Sequence, residues 1–365
     1  MQVSDRFNKG IKMKFGICYN VDYQAEVHGS PADYYESILD QCVLLEELGF
    51  DSAWFSEHHS GPYSFGNPAL MIATAATRTR RLKLGTGVSL LPLHHPIVLS
   101  EEYAMLDQLT GGRLEYGVGR GYLLHEYPWL NIPLDESAPR YREALDFIIQ
   151  AWTTKGKMSF EGEFFKVDGY KPFPNVVQQP MPRIFASAVS AESFAYAASK
   201  NLDIGVAIFV PGMNELLPGY IAEYESALAD HGFARSDRQV MGITQMYCAE
   251  DPEEALAEGC RYAENYFKFF GTTMIESGGP NPVAEYMMQV KASGLNDLNQ
   301  TLFGTPEELI DKIERMRRDM KIDYLQLEVA QGGCRPDKVV DVLRLFGEKV
   351  IPHFKQGTGA GVLAA

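Results

Sequence analysis

The chain alternates eight short apolar segments with longer segments of helical periodicity, and this alternation constrains its fold more than any other feature. The apolar segments have the length and composition of buried parallel strands. Signals for helix starts and stops lie between them. Ser30-Pro31 and Asn67-Pro68 each supply a cap followed by a first-turn proline, and Gly111-Gly112 ends a helix. The predicted strands are 13–19, 52–56, 82–90, 114–118, 184–187, 204–209, 240–248 and 325–329.

Eight β/α units without a low-complexity linker predict one α/β domain, a closed (β/α)8 barrel. The 365 residues exceed the ~250 of a typical barrel, and two insertions, about 156–182 and 271–303, account for the surplus. We expect a hairpin in the first insertion and an irregular segment in the second. The core then spans about 13–354 of a single domain covering 1–365, with a disordered tail at 356–365. A doubly wound nucleotide-binding fold is disfavoured because no Gly-x-Gly motif follows the first strand.

The charge and the cysteine content narrow the class of protein. A formal net charge of −15 repels phosphate backbones and anionic lipids, so nucleic acid and membrane surfaces are not expected partners. The five cysteines include no Cys-x-x-Cys pair, which argues against a disulfide framework or a zinc ribbon. The first six residues form a polar segment and no run of ~18 apolar residues occurs, so neither a signal peptide nor a membrane span is expected. We therefore expect a cytoplasmic enzyme.

Polar residues follow the predicted strands at the end of the barrel where active sites lie. Five of the eight histidines fall near this rim: His58, His59, His94, His95 and His125. A metal site is not expected, because strand one offers only Cys18 and Tyr19 as ligands. Adjacent histidines such as His58 and His59 also point to opposite faces of an extended chain.

The segment after the fifth predicted strand indicates an anion site. Ser190 can cap a helix whose free N–H groups accept a phosphate, and Ser187 lies just before it. Arg120, between two glycines, could add a bidentate contact. A second interpretation stays open, in which Ser190 is only a helix cap. Two interpretations also stay open for Gly85 and Gly87, a close approach by a ligand or a tight bend in the barrel wall.

The ordered set of motifs resembles the bacterial luciferase-like flavin-dependent monooxygenases, in particular the alkanal monooxygenase branch. The order and spacing match over roughly 13–200. The matching motifs are Trp54-Phe55-Ser56-Glu57-His58-His59, Gly66-Asn67-Pro68, Leu84-Gly85-Thr86-Gly87, His95-Pro96, Leu106 to Arg113, Gly117-Val118-Gly119-Arg120-Gly121, and the later Phe303-Gly304-Thr305-Pro306. The resemblance implies a TIM-type barrel that binds reduced FMN at the strand C-termini and reacts it with oxygen.

The resemblance also assigns roles to residues of this sequence. His58 matches the histidine that stabilises the oxygenated flavin, and His95 matches a second catalytic histidine of the pocket. The implied cofactor-binding residues are Gly87 and Val88 at a non-proline cis peptide, Arg120 and Arg140 at the FMN phosphate, and Ser187, Ala188 and Ser190 in the phosphate-binding turn. One position departs from the family, because luciferases have a glutamate where this chain has Ser187.

These features predict a two-component monooxygenase. A separate flavin reductase supplies reduced FMN, and the enzyme uses O2 to oxygenate a small, apolar organic substrate. The resemblance also implies a homodimer. Two alternatives stay open, a deazaflavin-dependent dehydrogenase of the same superfamily and a non-catalytic flavin-binding or subunit protein. The 271–303 insertion could be a lid that excludes water or a segment that packs in a dimer.

Overall fold

A computed structural model describes residues 12–59, 62–210, 212–278 and 282–355. The predicted tail at 356–365 lies outside these residues. The fold is the expected closed parallel β-barrel surrounded by helices. Within the described parts of the chain, no helix combines the length and the hydropathy needed to span a bilayer.

Eight of the twelve described strands form the barrel wall. In chain order the strands are β1 (Lys14–Tyr19), β2 (Ser52–Phe55), β3 (Lys83–Thr86), β4 (Ser89–Leu90), β5 (Leu114–Gly119), β6 (Met158–Glu161), β7 (Lys166–Tyr170), β8 (Arg183–Ser187), β9 (Asp203–Ala207), β10 (Val240–Cys248), β11 (Leu302–Gly304) and β12 (Tyr324–Glu328). The wall runs β1-β2-β3-β5-β8-β9-β10-β12, and it closes because β12 pairs in parallel with β1. The predicted strand positions are confirmed to within two residues. The third predicted strand is interrupted, since a cis Gly87–Val88 peptide separates β3 from β4.

The helices cover the outside of the wall. They are α1 (Ala25–His28), α2 (Pro31–Leu48), α3 (Pro68–Arg78), α4 (Pro96–Thr110), α5 (Glu126–Trp129), α6 (Ser137–Thr153), α7 (Ala191–Ser199), α8 (Met213–Asp230), α9 (Pro252–Gly278), α10 (Pro282–Gln289), α11 (Ala292–Asp297), α12 (Pro306–Asp319), α13 (Pro336–Lys349) and α14 (Ile351–Lys355). The predicted start signals are confirmed at α2, where Ser30 and Asp33 form a capping box, and at α3, where Asn67 accepts from the Leu70 N–H.

The barrel interior is filled by large side chains that require small neighbours. Trp54 packs edge-on against Phe185 at 5.1 Å between ring centroids. A Cβ atom added to Gly85 would lie 2.7 Å from the Trp54 ring, and one added to Gly117 would lie 2.0 Å from the Thr86 carbonyl oxygen. Gly85 therefore serves packing of the barrel wall, whereas Gly87 lines the cavity described below.

The two insertions differ from each other in how well the sequence predicted them. The first contains the expected hairpin, formed by antiparallel pairing of β6 with β7. The expectation of an irregular second insertion is wrong, because α9 continues through 271–278 and is followed by α10 and α11. Gly271 does not end α9 because α10 packs closely against it, so that a Cβ there would lie 2.4 Å from Cγ of Met288. Residues 279–281 lie outside the described part.

Candidate active site

A cavity of about 510 Å³ opens at the carboxyl ends of the barrel strands. Its size is within the range of small-molecule and cofactor sites. The walls are mainly apolar, with polar groups concentrated at His58, at Arg120 and the start of α7, and at Glu328. This is the end of the barrel at which the sequence predicted the site.

His58 lies in the cavity wall just after β2 and is held from three sides. Its side chain is buried, and Nδ1 lies 3.2 Å from Oε1 of Glu126. The ring stacks on Tyr63 at 4.7 Å between centroids and contacts Tyr122 at 4.8 Å. Because Glu126 occupies Nδ1, Nε2 is the ring nitrogen available to the cavity.

The side chains on either side of His58 point away from the cavity, as predicted for adjacent residues of an extended segment. Neither Glu57 nor His59 is among the described residues that line the cavity. Burial opposes ionisation of Glu57, but hydrogen bonds with His59 and His94 lower the pKa of this carboxyl to about 2. The segment thus presents one histidine to the cavity and keeps a carboxylate outside it.

Arg120 and the start of α7 form one end of the cavity. Within the described parts of the chain, the Arg120 guanidinium has no hydrogen bond or ion pair to another side chain, although it lines the cavity. Ser187 and Ser190 line the same end. Ser190 caps α7 by accepting from the Ser193 N–H. The open helix end and the free guanidinium together make an electropositive pocket for an anion.

Arg142, which the sequence analysis did not select, also lines this end of the cavity. It pairs with Glu192 in the first turn of α7, and both side chains are largely exposed. A bound anion would compete with Glu192 for the guanidinium. The site therefore contains one free arginine and one that is already paired.

Three residues predicted from the resemblance do not line the cavity in the described structure: His95, Arg140 and Ala188. His95 is exposed, caps α4 by accepting from the Ile97 N–H at 3.3 Å, and contacts the Phe165 ring. Arg140 binds Glu136 at 2.7 Å and lies over the Phe164 ring. Ala188 is buried, and its N–H donates to the Gly205 carbonyl. The structure thus brings together His58, Gly87, Val88, Arg120, Ser187 and Ser190, and it gives these three residues structural positions elsewhere.

Glu328, at the end of β12, places a buried acid in the cavity wall. Burial raises its pKa to about 7, although hydrogen bonds with Gln331, Gln245 and Asn20 act in the opposite direction. The Gln245 Nε2–H donates to Glu328 Oε2 at 2.7 Å. Sequence reasoning missed Glu328 because a single glutamate at the end of an apolar strand carries no recognisable motif.

A chain of tyrosine hydroxyls joins α9, the helix that leads into the second insertion, to the His58 side of the cavity. The Tyr63 hydroxyl lies 2.5 Å from that of Tyr122 and 2.9 Å from that of Tyr266 on α9. Burial raises the pKa of all three well above the ordinary value for tyrosine, so they remain hydrogen-bonding phenols. From the second insertion itself, Met274 and Met287 line the cavity.

Comparisons with known proteins identify the family of this chain. The family model described as "Luciferase-like monooxygenase" matches residues 13–323. The oxygenase component of the flavin-dependent trigonelline monooxygenase of Acinetobacter baylyi is 30% identical over 332 residues, which cover 88% of this chain and 90% of that protein. The crystal structure of monooxygenase RslO1 from Streptomyces bottropensis superposes with a TM-score of 0.81 at 28% identity, covering 94% of this chain and all of the other.

Two more distant structures share the fold alone. The oxygenating constituent of 3,6-diketocamphane monooxygenase from Pseudomonas putida, in complex with FMN, is 21% identical with a TM-score of 0.74, covering 94% of this chain and 98% of that one. An F420-dependent secondary alcohol dehydrogenase is 17% identical with a TM-score of 0.72, covering 93% and 98% respectively. The barrel by itself therefore does not decide between flavin and deazaflavin.

Proposed function

The chain belongs to the luciferase-like monooxygenase family, and we propose that it is the oxygenase of a two-component system that uses reduced FMN and O2. A separate flavin reductase supplies the reduced FMN, and one oxygen atom is transferred to a small apolar organic substrate. The observation that carries this proposal is one cavity with two features: His58 lies in its wall, and Arg120, which has no side-chain partner among the described residues, lies beside the α7 N-terminus. The proposed enzyme is a cytoplasmic homodimer.

The residues of the cavity fit FMN. Arg120, Ser187, Ser190 and the N–H groups that begin α7 would hold the phosphate, with Arg142 contributing when Glu192 releases it. The apolar walls near Gly87 and Val88 suit the ring system. When bound, reduced FMN supplies the electrons that activate oxygen, which the side chains of a protein cannot supply.

The protein contributes orientation, hydrogen bonding and exclusion of water. Glu126 and Tyr63 hold the His58 ring in one orientation, so Nε2 is positioned to hydrogen-bond a reacting oxygen without reorganisation. Met274 and Met287 place apolar groups of the second insertion over the cavity, which favours the lid interpretation of that insertion.

The residues that line the cavity indicate the class of substrate. Away from the phosphate end the lining is aromatic and aliphatic, with Phe209, Phe270 and Met241 among its members. Polar groups of the lining, among them the acid of Glu328 and the hydroxyl of Tyr122, could orient a substrate. This lining favours an apolar or aromatic compound with one polar function.

The test of this proposal is an anaerobic titration of the protein with reduced FMN, reduced deazaflavin F420 and oxidised FMN in parallel. We expect saturable binding with preference for reduced FMN. Preferential binding of F420 would favour the dehydrogenase alternative instead. Absence of binding by all three would contradict the cofactor assignment, whereas binding without any reaction with O2 would favour a non-catalytic protein.

A further inference from the structure

A second group of chemistry-bearing side chains lies outside the cavity, on the opposite face of the segment that carries His58. Glu57 Oε1 lies 3.0 Å from Nε2 of His59 and also contacts Nε2 of His94. One ligand atom from each of the three residues lies within 4.8 Å of the other two. Two imidazoles thus converge on a single carboxylate oxygen.

The burial of the three residues differs in a way that suits a binding site. The Glu57 side chain is only 2% exposed, whereas those of His59 and His94 are 29% and 32% exposed. The other carboxylate oxygen of Glu57 accepts from the Leu90 N–H at 2.9 Å, which fixes the orientation of the group. The cluster therefore has an anchored carboxylate on its inner side and two partly exposed imidazoles on its outer side.

We propose that Glu57, His59 and His94 bind one divalent transition-metal ion such as Zn²⁺, with a water molecule as the fourth ligand. Two imidazoles and one carboxylate form a ligand set that suits tetrahedral Zn²⁺ or Co²⁺. Ca²⁺ and Mg²⁺ are disfavoured because they require mostly oxygen ligands. The hydrogen bond from Leu90 is the kind of outer contact that orients a ligating carboxylate.

The ligands come from two different barrel loops, so a bound ion would cross-link them. Glu57 and His59 follow β2, and His94 follows the turn after β4. Glu126 connects this cluster to the cavity, because its Oε1 accepts from the His59 N–H at 2.7 Å and lies 3.2 Å from Nδ1 of His58. An ion held by His59 would therefore restrict the segment that positions His58.

A metal site is not expected from the sequence, because strand one offers only Cys18 and Tyr19 as ligands and because His58 and His59 are poor joint ligands. The second judgement agrees with the structure, in which the two rings lie on opposite faces. The signal that was missed is the pairing of Glu57 with His59, two residues apart on one face of an extended segment, together with His94 from the adjacent loop.

The test uses tag-free, full-length protein treated with a chelator and then dialysed. Zn²⁺ binding is measured by competition with a chromophoric chelator of micromolar affinity, and Co²⁺ binding by its visible absorption. We expect one ion per chain, with a tetrahedral Co²⁺ spectrum. His59→Ala and His94→Ala should each weaken binding at least ~10-fold, whereas His95→Ala, the exposed neighbour, should bind like the wild type.

The experiment does not use flavin, so its outcome is independent of the proposed function. Failure of the wild-type protein to compete for Zn²⁺ would overturn the proposal. Equal binding by the wild type, His59→Ala and His94→Ala would also overturn it, because the ion would then lie elsewhere. Thermal unfolding in EDTA shows whether each variant is folded, and Zn²⁺ should raise the midpoint of the wild type and of His95→Ala but not of His94→Ala.

Discussion

Replacing Glu328 by glutamine should stabilise the protein at alkaline pH and leave its stability nearly unchanged at acid pH. Burial raises the pKa of this carboxyl from 4.5 to about 7, against the opposing hydrogen bonds from Gln331, Gln245 and Asn20. Glutamine keeps the shape and removes the charge.

The magnitude follows from proton linkage. Between pH 4.5 and about 7 the folded protein holds a proton on Glu328 that the unfolded chain has released, so the free energy of unfolding falls as pH rises through this window. At about 1.4 kcal/mol per pH unit, the full cost of the charge above pH 7 is about 3 kcal/mol. Below the unfolded pKa of 4.5 this cost is absent.

The assay is urea unfolding at several pH values between about 5 and 8. Relative to the wild type, Glu328→Gln should gain about 2 to 3 kcal/mol of unfolding free energy across this range, with an unchanged denaturant slope. Replacing the exposed Glu348 by glutamine provides the matched control, and its difference in unfolding free energy from the wild type should not change with pH. A pH-independent difference for Glu328→Gln, or one that favours the wild type at pH 8, would refute the reasoning.

The remaining predictions concern the cofactor, the chemistry and the barrel wall. Arg120→Ala should weaken binding of reduced FMN at least ~10-fold, because a charge-assisted hydrogen bond contributes ~1.5–3 kcal/mol. Anaerobic titration measures this affinity, and an equal loss of affinity in Arg140→Ala would contradict the prediction. The His58→Ala variant should bind reduced FMN with an affinity within a few fold of the wild type, but its turnover should be lower by ~10²-fold. Loss of binding with unchanged turnover would mean that the role assigned to His58 in the reaction is wrong. Gly117→Ala should lower the free energy of unfolding by ~1–3 kcal/mol, since its Cβ would meet a carbonyl oxygen of the next strand at 2.0 Å. Gly219→Ala lies in a helix with open space around the residue and should be neutral or stabilising by ~0.5–1 kcal/mol. Equal unfolding free energies for Gly117→Ala and Gly219→Ala would contradict the packing argument.

The sequence was sufficient for the barrel because each buried parallel strand is a short apolar run bounded by helix caps. It was insufficient for the second insertion, which was expected to be irregular although α9 continues through Gly271 to Gly278. Whether a glycine ends a helix depends on what packs against it, and the close approach of α10 is a tertiary contact. Local propensity alone does not contain that information.

The site could be predicted in part for a similar reason. His58, Arg120, Ser187 and Ser190 follow strands directly, so the topology alone brings them to one end of the barrel. Arg142 lines the cavity and Arg140 does not, because residues two apart on a helix point in nearly opposite directions. Glu328 and the α9 residues meet the cavity only through long-range packing, which no local motif signals.

The central claim is that this chain carries out oxygen chemistry with reduced FMN, and rapid mixing of the anaerobic complex with O2 tests it most directly. Absorbance is followed with and without a panel of aldehydes, ketones and sulfur compounds. We predict a transient absorbance that belongs to neither reduced nor oxidised FMN, formed in the wild type and shortened in His58→Ala. Oxidation of FMN in one phase, at the rate seen for free reduced FMN and without that transient, would contradict the account.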